Sequence, residues 1–207
     1  MEKTKVTNEE LIKNSLNSAL TYSEYLEQIE KELAGTPSNE EERMIYDYTK
    51  LNATRLKRLN NTQRVPKEVA DKIKAISDKV YWIVLTEGWC GDAAQSVPVL
   101  NKLQELNPNI EMKLLLRDSN LELMDRFLTN GGRSIPKLLV YDPKEEKVLG
   151  TWGPRPTEAT KLIADYKEEH GVIDDEIKTQ LQQWYNKDKG NGLMQDVLNL
   201  HQSLKSL

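Results

Sequence analysis

The sequence has little of what most metal and disulfide sites require. Cys90 is the only cysteine among its 207 residues, so no disulfide can form within the chain. The two histidines, His170 and His201, lie far apart and far from Cys90, and no ligand spacing is present. The sequence therefore predicts no metal site, no cofactor and no oxidising compartment.

Long hydrophobic runs and a surplus of positive charge are also missing. The longest apolar run, residues 80–85, is too short to cross a bilayer, and the N-terminal MEKTKVTNEE lacks the apolar segment of a signal peptide. The net charge is −4, with 33 acidic and 29 basic residues interleaved, unlike a nucleic-acid-binding surface. We expect a cytoplasmic protein with no membrane and no nucleic-acid partner.

The first third of the sequence has helical periodicity. Thr7 and Glu10 form a capping box, and apolar residues then predict one helix that ends near Gly35. A second helix begins near Asn39, with Ile45, Tyr48, Leu51, Leu56 and Leu59 at helical spacing, and Pro66 opens a short third helix. Residues 1–77 are predicted to form a helical extension packed on the main domain, where it covers a sheet edge or belongs to a partner surface.

From residue 78 onward, strand and helix patterns alternate. Strands are predicted at 81–85, 110–116, 136–141 and 147–152, and helices at 93–106, 121–128 and 156–184, the last broken at Gly171. This order indicates an α/β domain, residues 78–188, with a central mixed sheet flanked by helices.

A flexible break at residues 188–192 is predicted to precede a C-terminal helix, residues 189–207. Leu193, Val197, Leu200 and Leu204 fall on one face of this helix. The face either docks on its own domain or contributes to a homodimer through the terminal helices.

Cys90 lies between an apolar strand and the start of a helix. Amide groups and the dipole at a helix N-terminus stabilise a thiolate, which predicts a lowered thiol pKa. Asp92 opposes this effect, but we expect its side chain to face water. The alternative is that Cys90 is a small buried apolar residue.

The segment Trp89-Cys90-Gly91-Asp92-Ala93 resembles the Trp-Cys-Gly-x-Cys motif of the thioredoxin superfamily, with Ala93 in place of the resolving cysteine. The resemblance, which spans residues 80–166, extends to Pro98, to Arg133-Ser134-Ile135-Pro136 and to Gly153. The strings WCGDAAQ, LLLRD, LTNGGRSIPK and WGPRP look like a bacterial subgroup. The resemblance implies a thioredoxin-like fold.

The same resemblance implies the roles of the matched residues. Cys90 would be the reactive thiol, beside a cis peptide bond between Ile135 and Pro136 that pairs with an extended substrate. Gly153 would let that substrate approach, and Trp89 and Gly91 would complete the binding surface. Arg155 is either a loop charge or an anion contact near this groove.

One thiol without a resolving partner restricts the chemistry. The leading hypothesis is monothiol disulfide exchange, in which a protein or low-molecular-weight disulfide forms a mixed disulfide at Cys90 and an external thiol releases it. Such a protein would be a thiol-disulfide oxidoreductase lacking the resolving cysteine. The alternatives are a non-catalytic protein- or peptide-binding module and a cysteine oxidation sensor.

Overall fold

A four-stranded mixed sheet forms the centre of the structure, a computed structural model that describes residues 6–204. The strands are β1 (Val80–Thr86), β2 (Ile110–Leu116), β3 (Lys137–Asp142) and β4 (Lys147–Trp152), in the order β2-β1-β3-β4. β1 is parallel to β2, whereas β3 is antiparallel to both β1 and β4. The predicted α/β class with a mixed sheet is confirmed.

Helices surround this sheet, and their bounds follow in chain order. They are α1 (Asn8–Leu16), α2 (Tyr22–Ala34), α3 (Glu40–Thr62), α4 (Lys67–Lys74), α5 (Gly91–Gln104), α6 (Leu121–Met124), α7 (Thr157–His170), α8 (Asp175–Asp188) and α9 (Asn191–Leu204). Within residues 6–204, none of them has the length and apolar character needed to span a bilayer.

The N-terminal segment differs from the single helix that its periodicity predicts. It forms two helices, α1 and α2, and the residues between them run beside the sheet. Leu20 exchanges two backbone hydrogen bonds with Leu114 of β2, each 2.8 Å long. β2 is an edge strand, and the backbone groups of an edge strand are otherwise unpaired. The contact with Leu20 therefore covers part of this edge.

Helix α3 has the predicted start but presents an unexpected face to the protein. Asn39 caps it, and Leu56 and Leu59 are buried as their spacing suggests. Ile45, Tyr48 and Leu51 are exposed, whereas Thr49 and Asn52 are buried against the rest of the protein. The apolar spacing therefore predicted the helix correctly without identifying which side packs.

Three further boundaries test the prediction. The helix expected at 121–128 ends at Met124, whereas the predicted break at Gly171 does separate α7 from α8. The connection before α9 is a tight turn rather than a flexible break. Its Gly190 has a φ of 80°, and a Cβ there would lie 2.9 Å from a methyl group of Val99.

Helix α9 docks on its own domain. Leu193, Met194, Val197 and Leu198 are buried in the same apolar core as the sheet and helices α1 to α5, while α7 and α8 share a smaller cluster. The predicted boundaries at 77/78 and 188/189 fall between α4 and β1 and at the end of α8. The division into three units and the homodimer stay predictions.

Candidate thiol site

Cys90 is the N-cap residue of α5, directly after the turn that follows β1. Its backbone N–H donates to the carbonyl of Glu87 (3.2 Å), and its own carbonyl accepts from Ala94 (3.0 Å), the first hydrogen bond of the helix. The end of a buried strand and the start of a helix thus fix the position of the sulfur, as the sequence predicts.

The thiol lies against the segment that contains Ile135 and Pro136. The Cys90 Sγ donates a hydrogen bond of 3.3 Å to the carbonyl oxygen of Ile135, and the peptide bond between Ile135 and Pro136 is cis. Only 8% of Cys90 is exposed. The fold thereby brings together two parts of the chain that the sequence analysis placed in one groove.

Gly153 lies on the other side of Pro136. Its φ is 114°, and a Cβ at this position would collide with the carbonyl oxygen of Pro136. Because both the left-handed backbone and the contact exclude a side chain, only glycine fits here. A second cis peptide bond, between Gly153 and Pro154, follows directly.

The remaining motif residues surround the start of α5. The indole of Trp89 is partly buried, and the Arg117 guanidinium carbon lies 4.9 Å from its ring centre, in cation–π geometry. A Cβ on Gly91 would be 3.3 Å from Nη1 of Arg55. Ala93, at the position of the missing resolving cysteine, is completely buried.

Asp92 does not face water, contrary to the expectation from sequence. Only 11% of its side chain is exposed, and Nη2 of Arg155 lies 2.7 Å from its carboxylate. The hydroxyl of Tyr185, from α8, donates a hydrogen bond of 2.9 Å to the same carboxylate. Burial and the Asp92 carboxylate together raise the pKa of Tyr185 well above its ordinary value.

These surroundings reverse the predicted acidity of the thiol. Burial is the largest cause and the charge of Asp92 the second, and together they raise the pKa of Cys90 to about 11. The amides of Ala93 and Asp92 and the charge of Arg155 lower it by less. The predicted lowering was wrong, because desolvation and a carboxylate held two residues away outweigh the helix amides.

Helix α3 supplies support that the sequence analysis missed. The Asn52 side-chain amide donates a hydrogen bond of 3.0 Å to the carbonyl oxygen of Gly88, and Nη1 of Arg55 donates one of 2.9 Å to the side-chain oxygen of Asn52. No sequence signal indicated this contact, because the apolar spacing of α3 did not identify the side that packs. Tyr185 has no signal either, because nothing local connects it to Asp92.

Glu87 is a second buried carboxyl near the thiol. It is 7% exposed, and it accepts a 2.8 Å hydrogen bond from the backbone N–H of Asp118, which ties the end of β1 to the turn after β2. Burial raises its pKa to about 7, with a smaller contribution from the charge of Asp118. Within residues 6–204, no group of three or more His, Cys, Asp or Glu is arranged to hold a metal ion.

Comparisons with known proteins agree with this architecture. The family model described as Thioredoxin matches residues 38–167, which include α3 and α4 and amount to more than half of the chain. None of the curated protein sequences compared with the chain matches it.

Two solved structures share the fold. One is a 1.5 Å crystal structure of a protein of unknown function from Pseudomonas aeruginosa (TM-score 0.64, 18% identity, covering 96% of this chain and 99% of that one). The other is an HIV epitope-scaffold (TM-score 0.55, 19% identity, covering 89% and 99%). At these identities they show a shared fold, which for the first extends over nearly the whole chain.

Proposed function

Because the chain belongs to the thioredoxin family, we propose that it performs monothiol disulfide exchange at Cys90. The observation that carries this proposal is the position of the Cys90 sulfur, 3.3 Å from the Ile135 carbonyl and at the first turn of α5. An extended substrate segment would lie along Ile135, Pro136 and Gly153, beside Trp89 and Gly91. We place this function in the reducing cytoplasm of a bacterium.

The reaction has two exchange steps. The Cys90 thiolate attacks a disulfide RS–SR′, so that a Cys90–SR bond forms, the RS–SR′ bond breaks and R′S⁻ leaves as a thiolate. A second, external thiolate then attacks the SR sulfur and restores the Cys90 thiolate. Ala93 cannot provide that second sulfur, so release of the mixed disulfide depends on the concentration of the external thiol.

The raised pKa makes this exchange slow at neutral pH. With a pKa of about 11 for Cys90, only about one thiol in 10⁴ is ionised at pH 7. Asp92 is part of the cause, so its negative charge restrains the reaction. We therefore propose a protein that reacts with few substrates and keeps the mixed disulfide for long periods, rather than a general reductase.

The second candidate is a non-catalytic binding module, or a sensor in which Cys90 is oxidised. The buried and protonated thiol favours the binding module, because a thiol does not attack a disulfide; it does not favour the sensor, because sensor cysteines are acidic and exposed. The groove beside Pro136 and Gly153 would then bind an extended peptide without a covalent bond. Peptide binding would survive replacement of Cys90, whereas covalent capture would not.

Mass spectrometry of the intact protein separates the two functions. With hydroxyethyl disulfide, we expect one adduct on the natural chain, none on Cys90→Ser, and release of the adduct by an external thiol. The adduct should form about tenfold faster for each pH unit between 7 and 10, because the thiolate fraction rises by that factor. If no adduct forms even at pH 10, exchange is excluded and the binding module remains.

The Asp92→Asn variant tests the environment of the thiol. Removing the charge should lower the pKa of Cys90. Each pKa unit gives about tenfold more thiolate at pH 7, but that thiolate is about threefold less nucleophilic. The rate of adduct formation at pH 7 should therefore rise by about threefold per unit. The control is Asp165→Asn, an exposed residue of α7 with the same change of charge. An unchanged pH profile in Asp92→Asn would show that this carboxylate does not restrain Cys90.

A further inference from the structure

A pocket of about 720 Å³ lies where β4 ends, next to the thiol site but without Cys90 in its wall. Residues from β3, β4, the first turn of α7, helix α9 and the adjoining loops line it, and its polar and cationic members include Thr129, Asn130, Lys137, Thr151, Arg155 and Thr157. Its volume is within the range of small-molecule sites.

Lys137 is the unusual member of this wall. It directly follows Pro136 and is only 7% exposed, yet the one hydrogen bond of its side chain is from Nζ to Oγ1 of Thr129 (3.2 Å), and no carboxylate of residues 6–204 pairs with it. Burial lowers the pKa of Lys137, because loss of hydration disfavours the charged ammonium. An ammonium has three N–H donors and no acceptor, so two of the donors of Lys137 have no partner among the residues the structure describes.

Arg155, which also lines this pocket, is the second cation with an unsatisfied donor. Its Nη2 pairs with Asp92, but its Nε is buried and has no hydrogen-bond partner among residues 6–204. The carboxylate in the pocket wall, Asp196, already accepts hydrogen bonds from Trp152 and from the backbone and hydroxyl of Thr157. The buried Lys137 and the partly exposed Arg155 thus both have donors without a partner among residues 6–204, and the only carboxylate of the pocket wall, Asp196, is already hydrogen-bonded.

We propose that this pocket binds a small organic anion whose carboxylate or phosphate group accepts hydrogen bonds from Lys137 Nζ and from the Arg155 guanidinium. An anion satisfies both requirements of the wall, because it accepts hydrogen bonds and neutralises a buried charge. The hydroxyls of Thr151 and Thr157 and the amide of Asn130 would contact the polar remainder of the molecule. The proposal does not depend on exchange at Cys90.

Calorimetric titration of the full chain at pH 7 and low salt tests the pocket. The probes are citrate for a carboxylate, glucose 6-phosphate for a phosphate ester, and glucose as the uncharged comparison. We expect saturable binding of at least one anion and none of glucose. Binding of citrate alone assigns a carboxylate ligand, and binding of glucose 6-phosphate alone assigns a phosphate ligand.

Two lysine variants make the test specific. Lys137→Met should weaken the bound anion at least tenfold, while Lys147→Met, an exposed lysine of β4, should leave the affinity within twofold. Arg155→Gln is the second variant, with the same expected loss, if Lys137→Met fails to fold. Binding of neither anion, or equal affinity in the natural chain and the pocket variant that folds, overturns the proposal.

Discussion

At the scale of single residues, Gly153 cannot be replaced without strain, since its φ of 114° and its contact with Pro136 both exclude a side chain. We expect Gly153→Ala to lower the free energy of unfolding by about 2–4 kcal/mol, because the backbone must move away from Pro136. Urea denaturation measures this loss.

Gly131→Ala is the matched control for that substitution. Gly131 also has a positive φ, 77°, but a Cβ there would contact nothing within 4 Å. The strain of the left-handed conformation alone should cost about 1 kcal/mol. Equal losses in the two variants would show that the contact with Pro136 contributes nothing.

Glu87 makes the stability depend on pH. Its folded-state pKa of about 7 is above its ordinary value of 4.5, so folding takes up a proton between these values and stability falls as the pH rises through this window. Glu87→Gln should therefore stabilise the protein at pH 8.5, by about 1–3 kcal/mol, and have almost no effect at pH 4.

Urea denaturation of Glu87→Gln at pH 4, 6 and 8.5 checks this sign. Glu122→Gln, an exposed carboxyl of α6, provides the comparison and should change stability equally little at all three values. A stabilisation that is largest at pH 4 would contradict the assignment of a raised pKa to Glu87.

At the scale of elements, α9 completes the start of α7. The residue at the N-cap of α7 is Pro156, which has no side-chain hydrogen bond to the helix, and Asp196 of α9 accepts from the backbone N–H of Thr157 (2.8 Å) instead. Asp196→Ala should destabilise the protein by about 1–3 kcal/mol, because it removes this cap and the partner of Trp152.

Thermal unfolding followed by circular dichroism measures the effect of Asp196→Ala. Gln195→Ala, one position away on the exposed side of α9, should stay within about 0.5 kcal/mol of the natural chain. If the two substitutions have the same effect, Asp196 does not act as a cap for α7.

The N-terminal helices show which local signals were sufficient. The capping box at Thr7 predicted the start of α1, and an equivalent box at Thr21 and Glu24 marks the start of α2. Reading the second box would have divided the predicted single helix correctly. The pairing of Leu20 with Leu114 had no comparable signal, because a backbone contact with β2 requires no particular side chain.

At the scale of the whole molecule, α9 is part of the core. A chain that ends at Gly190 would lose Leu193, Met194, Val197 and Leu198, all buried. Their burial contributes roughly 6–12 kcal/mol as an upper estimate, comparable with the stability of an entire domain. We expect this truncated chain to lose cooperative unfolding in urea.

A cooperative transition in the truncated chain, at the urea concentration of the full chain, would contradict this role of α9. The double variant Gln195→Ala and Asn199→Ala changes only the exposed side of the helix and should unfold normally. The predicted homodimer through the terminal helices therefore has to be tested on the full chain, by sedimentation velocity.

The sequence by itself determined what depends on local order. Apolar runs of strand length gave β1 to β4, and the motif around Cys90 together with Ile135, Pro136 and Gly153 placed the thiol in a thioredoxin-like fold. Strands and helices could be predicted because periodicity and helix capping depend on neighbouring residues, whereas the grouping of Cys90 with Ile135, Pro136 and Gly153 came from the resemblance to the thioredoxin superfamily.

Only the tertiary structure decided the acidity of the thiol, the face of α3 that packs and the charges in the pocket at β4. Each depends on groups distant in sequence, such as Tyr185 and Arg155 around Asp92, or Lys137, with which no carboxylate of the described residues pairs. A charge in a folded protein is stabilised or destabilised by burial and by neighbours across space. The spacing of residues along the chain does not indicate which groups become neighbours in the folded structure.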